Sequence, residues 1–382
     1  MKRKEKSKLK KLADTKLDSN GNIIELPKGI KIGHAHNDYT GITVILCDED
    51  CVAGVDVKGA APGTRETDLL RSDKMIEKIQ AIALCGGSAY GLNAVSGVME
   101  FLKDRKRGHY IKNFNKYVPI VPAAVIFDLD DEGYNIPDHH MAHLACIEAS
   151  ATPKTGSVGA GRGATIGKIR GAKNTSKGGV GMASVYVMGV LVTAIVVVNA
   201  FGDVYCHKTG KIIAGALDRN GEFFNTNKSM LDGRLLRLLT GLGKAQANEG
   251  FEAGANTTIG CIITDAKLDK VQANKLAAIS HNGLAQSIKP VHTDYDGDTM
   301  FCLAAGKKKV FNFAFLQAAA VEATSRAITN AVESVKNVLS KSVLPSLSFK
   351  STSSLSSTSS SAVILSEAKN LAEGEKQAGG DE

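Results

Sequence analysis

Three stretches of this 382-residue chain hold residue types whose spacing suits chemistry. The first is Gly254-Ala255-Asn256-Thr257-Thr258-Ile259-Gly260, where small residues lead to a hydroxyl and Cys261-Ile262-Ile263 continue as a short apolar strand. A threonine at the start of a strand is ordinarily a strand residue and nothing more. It becomes a nucleophile if the Asn256–Thr257 bond breaks. The freed α-amine then titrates near pH ~8, well below a lysine, and takes the proton of the threonine's own hydroxyl. The second stretch, Val291–Phe301, carries Asp294, Asp296 and Asp298. Alternating aspartates suggest calcium, but a loop of the EF type starting at Asp294 needs Gly and Glu where this chain has Thr299 and Ala305. Taken alone, the segment reads as a solvated acidic turn. The third stretch is Gly156–Lys168, GSVGAGRGATIGK. A phosphate-cradling P-loop needs glycine where Arg162 stands and a hydroxyl where Ile169 stands. Gly159–Ala164 resembles a loose dinucleotide fingerprint with no convincing strand before it, so nucleotide binding is not supported.

Other polar residues need an account as well. Asn199 ends a run of valines, at the rim of a core where its amide requires a partner. It either caps the following turn or serves a site. His139, His140 and His143 lie close together, but no thiol or carboxylate pattern completes a metal site, and they read as surface histidines. The seven cysteines are scattered and odd in number, which suits reduced thiols in a cytoplasmic protein. Arg65, in a loop dense in Gly, Ala and Pro, is placed to hold carboxylates rather than to catalyse.

The elements that must position these residues are partly readable. Gly41–Cys47 and Cys51–Val57 read as two strands joined by the acidic turn Asp48-Glu49-Asp50, as in a hairpin. A helix starts in Cys85–Leu92 with Ser88 as its N-cap, and Leu92, Val95, Met99 and Leu102 mark its core face. Tyr117–Leu129 reads as a strand with its exit, with Pro119 and Pro122 favouring an edge. Val185–Ala200 is shorter than the ~20 apolar residues of a membrane-spanning helix. Rich in Val and Ile and broken by Gly189, it reads as two buried strands meeting near Met188-Gly189. Asp265 is expected to cap a helical region reaching Ile288, with Gly283 a break and Pro290 an end. Phe311–Leu339 reads as a long helix with Leu316, Ala320, Ala323, Ala327, Ala331 and Val335 on one face. The net charge of +8 is concentrated in Met1–Lys16. That arm has no apolar core behind its basic residues and no interleaved aromatics, so it suits neither a secretory signal nor a nucleic-acid contact. From these patterns alone the fold is a mixed α/β or α+β domain.

Asn256-Thr257-Thr258-Ile259-Gly260 resembles the processing site of a family of self-cleaving N-terminal-nucleophile hydrolases. The family includes L-aminopeptidase/D-esterases, β-peptidyl aminopeptidases and nylon-oligomer hydrolases. Gly59–Thr67, GAAPGTRET, is similar to another of its segments, and the likeness runs from about Leu26 to about Ser340. It implies an α+β fold, a four-layer αββα sandwich of the N-terminal-nucleophile type, built from two fragments of one precursor. It also implies a disordered arm over 1–25, a single hydrolase domain over 26–340 cleaved between 256 and 257, and a disordered tail over 341–382. A long, partly mobile stretch would lead to the cleavage site. In such an enzyme Thr257 is the nucleophile, Asn199 the oxyanion donor, and Lys168, Asp296 and Asp298 the groups that tune and orient it, with Tyr90 near the substrate pocket. No metal or organic cofactor is implied. The partners implied are a small peptide or oligoamide, including 6-aminohexanoate oligomers, and further copies of the chain, commonly as a tetramer, with no nucleic acid and no membrane. Aspartates at 296 and 298, where members cleaving before serine often have Ser and Glu, make the chain more similar to the nylon-oligomer branch. Two other readings stay open: an acyltransferase using the same threonine, and a non-catalytic assembly protein.

Overall fold

The computed structural model describes residues 24–129, 135–233 and 256–342, with side chains up to 335. The chain divides into a unit spanning Met1–Ser342 and a second, Val343–Glu382. The basic arm, the approach to the cleavage site with its apolar patch Leu235–Leu242, and the serine-rich tail fall outside the described residues.

Nine strands form the main sheet: β1 (Ile30–His36), β2 (Gly41–Val57), β3 (Thr64–Arg65), β4 (Lys78–Cys85), β5 (Ala123–Val125), β6 (Gly179–Val187), β7 (Val190–Asn199), β8 (Thr257–Ala266) and β9 (Thr299–Lys308). Their order is β6-β7-β8-β9-β2-β4-β5-β3, with β1 against β2. Four helices flank them: α1 (Val95–Asp104), α2 (His139–Ile147), α3 (Lys270–Ser287) and α4 (Phe313–Ser342).

The side-chain period of two sorts each strand's residues between separate cores. Val192, Ala194, Val196 and Val198 of β7 pack with Ile262, Met300 and the inward faces of α3 and α4. The alternate residues Ile195 and Val197 join Ile259, Cys261, Ile263, Phe301 and Leu303, and meet Ile45, Ile82, Leu84 and Ile126 from the other half of the sheet. On the far side of that half, Ile42, Val44, Ala81 and Ala83 pack with α1 and α2. Three cores separating helix, strand, strand and helix make the αββα stack expected from the resemblance.

The expected hairpin at Asp48–Asp50 does not form. β2 is one 17-residue strand whose register against β4 shifts between Leu46 and Cys51. A bulge bends a strand without reversing it. The first half of β2 pairs with β1 and β4, and its second half with β9. The acidic residues find cations outside the ladder: Asp48 meets Lys31 at 3.0 Å and Asp50 meets Arg107 at 3.0 Å. By contrast, β6 and β7 do turn at Met188-Gly189, where both residues have positive φ (49° and 80°), the geometry of a two-residue hairpin loop.

Other boundaries move for identifiable reasons. Ser88 caps nothing; it has a φ of 54° and opens a 3₁₀ stretch, and α1 begins only at Val95. Its buried face is Val95, Val98, Phe101 and Leu102, with Leu92 and Met99 only partly buried. Pro119 and Pro122 split the expected strand into Lys116–Val118 and β5, and the Ile120 N–H donates to Gln80 Oε1 (2.9 Å) instead of to a ladder. β5 is not an edge; it lies between β4 and β3. The cap of α3 is Asp269, in a reciprocal capping box with Gln272. Asp265 instead accepts from the Leu191 N–H (2.9 Å) and pairs with Lys308 (2.6 Å). Gly283 does not break α3. A Cβ there would stand 2.6 Å from that of Thr324, so the missing side chain lets α3 and α4 close. The expected face of α4, from Leu316 to Val335, is buried. His139 and His140 are exposed on α2, and His143 packs edge-on against Phe101. Among the described residues, no helix is long and apolar enough to cross a membrane.

Candidate active site

Strand pairing brings the distant polar residues together. In the antiparallel β7–β8 ladder Asn199, the last residue of β7, is opposite Thr257, the first of β8. β9 runs parallel to β8, with Thr299 beside Ile259, so the loop that ends in Asp296–Asp298 arrives at the same end of the sheet. Asn256 bridges to Asp296 just ahead of both strands.

The Asn256–Thr257 linkage is buried and its carbonyl is held from two sides. Thr257 Oγ1 donates to the Asn256 carbonyl oxygen at 2.5 Å, and the Gly297 N–H donates to the same oxygen at 2.9 Å. The hydroxyl therefore lies against the carbonyl that precedes it, and a backbone donor polarises that carbonyl. Asn256 Nδ2 reaches the Tyr295 carbonyl at 3.5 Å, whereas Asn256 Oδ1 is buried with no hydrogen-bond partner among the described residues.

Lys168 follows the glycine-rich stretch, and its Nζ donates to Asn199 Oδ1 at 2.9 Å. Burial pushes the Lys168 ammonium down to about 7, although the charges of Asp128 and Asp296 pull it back up. Asn199 spends its amide on the scaffold: Nδ2 donates to the Phe127 carbonyl (2.9 Å), and Oδ1 also accepts from the Thr165 N–H (3.0 Å). Its oxygen thus faces the lysine, while one Nδ2 hydrogen is committed to Phe127.

The two loop aspartates differ in their surroundings. Asp296 Oδ2 accepts from the Thr293 N–H (2.8 Å) and hydroxyl (2.7 Å). Burial, followed by the neighbouring Asp298 charge, raises its carboxyl to about 6. Asp298 accepts the Thr258 N–H at Oδ1 (2.7 Å), and the His292 N–H (3.2 Å) and Nδ1 (2.8 Å) at Oδ2. It therefore ties down the residue after Thr257.

One carboxylate of the site escaped the sequence reading. Asp128 accepts from the Gly87 N–H (2.6 Å) and the Thr40 hydroxyl (2.8 Å), and burial raises it to about 6 against those two bonds. Its only sequence signal is an acid directly after the apolar run Ala123–Phe127. Next to Thr257 lies a cavity of about 210 Å³, lined by Ala61, Pro62, Gly63, Ser88, Ala89, Val125, Phe127 and Thr257. Tyr90, expected near a pocket, is 53% exposed and is not part of that lining; its neighbours Ser88 and Ala89 are. The reason is the 3₁₀ turn that replaces the expected helix start. Arg65 meets no carboxylate. It donates to the Leu92 carbonyl (3.2 Å) and Ser96 Oγ (3.4 Å), and contacts Met99 Sδ (3.0 Å), bracing the start of α1.

Known proteins share this architecture. An uncharacterized aminopeptidase of Mycobacterium tuberculosis is 40% identical over 291 residues, covering 73% of this chain and 80% of that protein. A 6-aminohexanoate-oligomer endohydrolase of Agromyces sp. is 30% identical over 284 residues, covering 72% of each. The solved β-aminopeptidase of a Burkholderia species superposes with a TM-score of 0.59 at 19% identity, covering 84% of this chain and 94% of that one. The L-aminopeptidase D-Ala-esterase/amidase of Ochrobactrum anthropi, a variant of the Ntn hydrolase fold, does so with a TM-score of 0.58 at 16% identity, covering 81% and 87%. Both structural likenesses bear on the fold. The family model for peptidase family S58 matches residues 22–344, and the chain belongs to that family as a hydrolytic enzyme acting on amides.

Proposed function

We propose that the chain is a self-processing amide hydrolase whose nucleophile is Thr257, freed as a new N-terminus by scission of the Asn256–Thr257 bond. The observation that carries this reading is the Thr257 hydroxyl against the Asn256 carbonyl, with the Gly297 N–H on the same oxygen. In the precursor, Thr257 Oγ1 attacks the Asn256 carbonyl carbon and its proton passes to Lys168, a lysine whose burial leaves much of it neutral near pH 7. The negative charge develops on the oxygen that Gly297 already contacts. Collapse breaks the C–N bond, protonates the Thr257 nitrogen and leaves an ester between Asn256 and Thr257 Oγ1. Water opens the ester, giving a carboxylate at Asn256 and a free α-amine at Thr257.

In the processed enzyme that α-amine is the base. Thr257 Oγ1 attacks a substrate amide seated in the cavity, the α-ammonium returns the proton to the leaving amine, and water hydrolyses the acyl ester. The second hydrogen of Asn199 Nδ2 is assigned to the substrate oxyanion. Asp296 and Asp128 hold the charge balance around Lys168 and the new amine. The cavity lining has no ionisable side chain, which supports a neutral, linear acyl segment of a short peptide or a 6-aminohexanoate-type oligomer. We assign the working form to a homo-oligomer.

A denaturing gel with mass spectrometry tests the reading. The wild-type chain is expected as two pieces, one ending at Asn256 and one starting at Thr257, and Thr257→Ala as one full-length piece without amidase activity. An intact wild-type chain that hydrolyses amides would overturn it.

A further inference from the structure

Behind Asp298 lies a histidine pair that the mechanism above does not use. His292 gives both its backbone N–H (3.2 Å) and its ring Nδ1 (2.8 Å) to the same oxygen, Asp298 Oδ2. Its φ is 57°, a conformation that costs a non-glycine residue on the order of 1–3 kcal/mol. The local contacts that hold it there include this two-point grip on the carboxylate. His292 Nε2 is buried and has no hydrogen-bond partner among the described residues. A donating Nδ1–H with a bare Nε2 is one defined neutral tautomer.

The ring is kept in place from outside the loop. His281, on α3, meets it edge-on with centroids 4.8 Å apart. His281 Nε2 is anchored on the Asp56 carbonyl at 3.1 Å, in the second half of β2. Burial pushes His281 down to about 4, with the His292 ring acting in the same direction, so it is neutral at physiological pH and serves as packing. A continuous path therefore runs from β2 through α3 and His292 to Asp298, and from Asp298 Oδ1 to the Thr258 N–H at 2.7 Å.

We infer that His292 is a positioning residue for the nucleophile, acting through Asp298 to fix the first two residues of β8. Once the Asn256–Thr257 bond breaks, Thr257 loses its covalent anchor on one side. The ladder to Asn199 and the Asp298 clamp on Thr258 are then what keep the new terminus aimed into the site. An Asp298 carboxylate free to rotate would release one of those two restraints. The inference rests on Thr257 being the nucleophile.

The test compares His292→Asn, His292→Gly and His292→Leu with wild type and Thr257→Ala. Asn places an N–H where His carries Nδ1–H, and both Asn and Gly accept positive φ. Gly and Leu remove the ring donor. Self-cleavage is read by gel over time, and kcat and KM on a short oligoamide are read for the processed enzyme. Gly and Leu are expected to slow cleavage and lower kcat by about 10- to 100-fold, as ångström-scale misplacement of a reacting group does, while KM changes little. Asn is expected to stay within about three-fold of wild type in both readings. If Leu does not fold, the Asn–Gly comparison decides. Gly or Leu matching wild type, or Asn as impaired as Gly, would overturn the inference. Processing or activity in Thr257→Ala would instead overturn the reading beneath it.

Discussion

Lys168 is the residue whose electrostatics most constrain the chemistry. Its ammonium is lowered to about 7 because burial outweighs the attraction of Asp128 and Asp296. A lysine acting as base works in its neutral form, and Asp296, raised to about 6, must ionise to take part as a carboxylate. Both requirements point the same way: the self-cleavage rate should climb between pH 5 and 8 and then level off (pH range on the order of the two shifted pKa values). Fragment formation followed by gel across that range checks this, and a rate that falls as pH rises would contradict it. Lys168→Arg should not cleave, because arginine keeps its proton. The same shift bears on stability. A folded pKa below the unfolded value means that the unfolded chain binds the extra proton. The stability linked to this group is therefore present above the ordinary lysine range and is lost as pH falls through about 7. Lys168→Met should raise the melting temperature at pH ~6 by more than at pH ~10, measured by thermal denaturation.

At the scale of elements, the tightest local turn is a place where the chain has not chosen the most stable residue. β6 and β7 are joined at Met188-Gly189 with φ of 49° and 80°. A two-residue loop of that kind favours Asn-Gly, since asparagine adopts left-handed φ more readily than methionine. Met188 is also 68% exposed, so little packing is lost by replacing it. Met188→Asn should stabilise the protein by about 1 kcal/mol, or on the order of 2 °C in melting temperature, with amidase activity unchanged. A lower melting temperature would show that the methionine is held by contacts that outweigh its backbone strain. This turn was legible in the sequence because a glycine interrupted a run of β-branched residues. The acidic break in β2 misled because Asp48-Glu49-Asp50 carries the same local signal as a reversing turn. What keeps the strand going is β9, paired with Val52–Val57 from nearly 250 residues away, and local composition does not encode that partner. Asp128 and His292 were invisible for the same reason. Each is polar beside ordinary neighbours, and its meaning comes from Lys168 or Asp298 brought in by the fold. Thr257, Asn199, Lys168, Asp296 and Asp298 were legible through resemblance, not through spacing.

For the whole molecule, the sheet order decides what happens after scission. A break before Thr257 leaves one fragment with β1 to β7, α1 and α2, and another with β8, β9, α3 and α4. The strands of the second fragment do not sit at an edge. β8 pairs with β7 over eight residues from Val192↔Thr264 to Asn199↔Thr257, and β9 pairs with β2 over six from Thr299↔Val57 to Ala304↔Val52. The smaller fragment is thus held between two ladders of the larger one. Its helices α3 and α4 also cover the core formed with β7, including Val192, Ala194, Val196 and Val198. Separating the pieces means opening both ladders and exposing that core at once, which is equivalent to global unfolding and not to dissociation at an interface. The processed fragments should therefore co-elute in size-exclusion chromatography, survive dilution without loss of activity, and come apart only at denaturant concentrations that also abolish the folded signal in circular dichroism. Fragments that separate in native buffer would mean that scission loosens the sheet, leaving Thr257 at a frayed strand end instead of opposite Asn199.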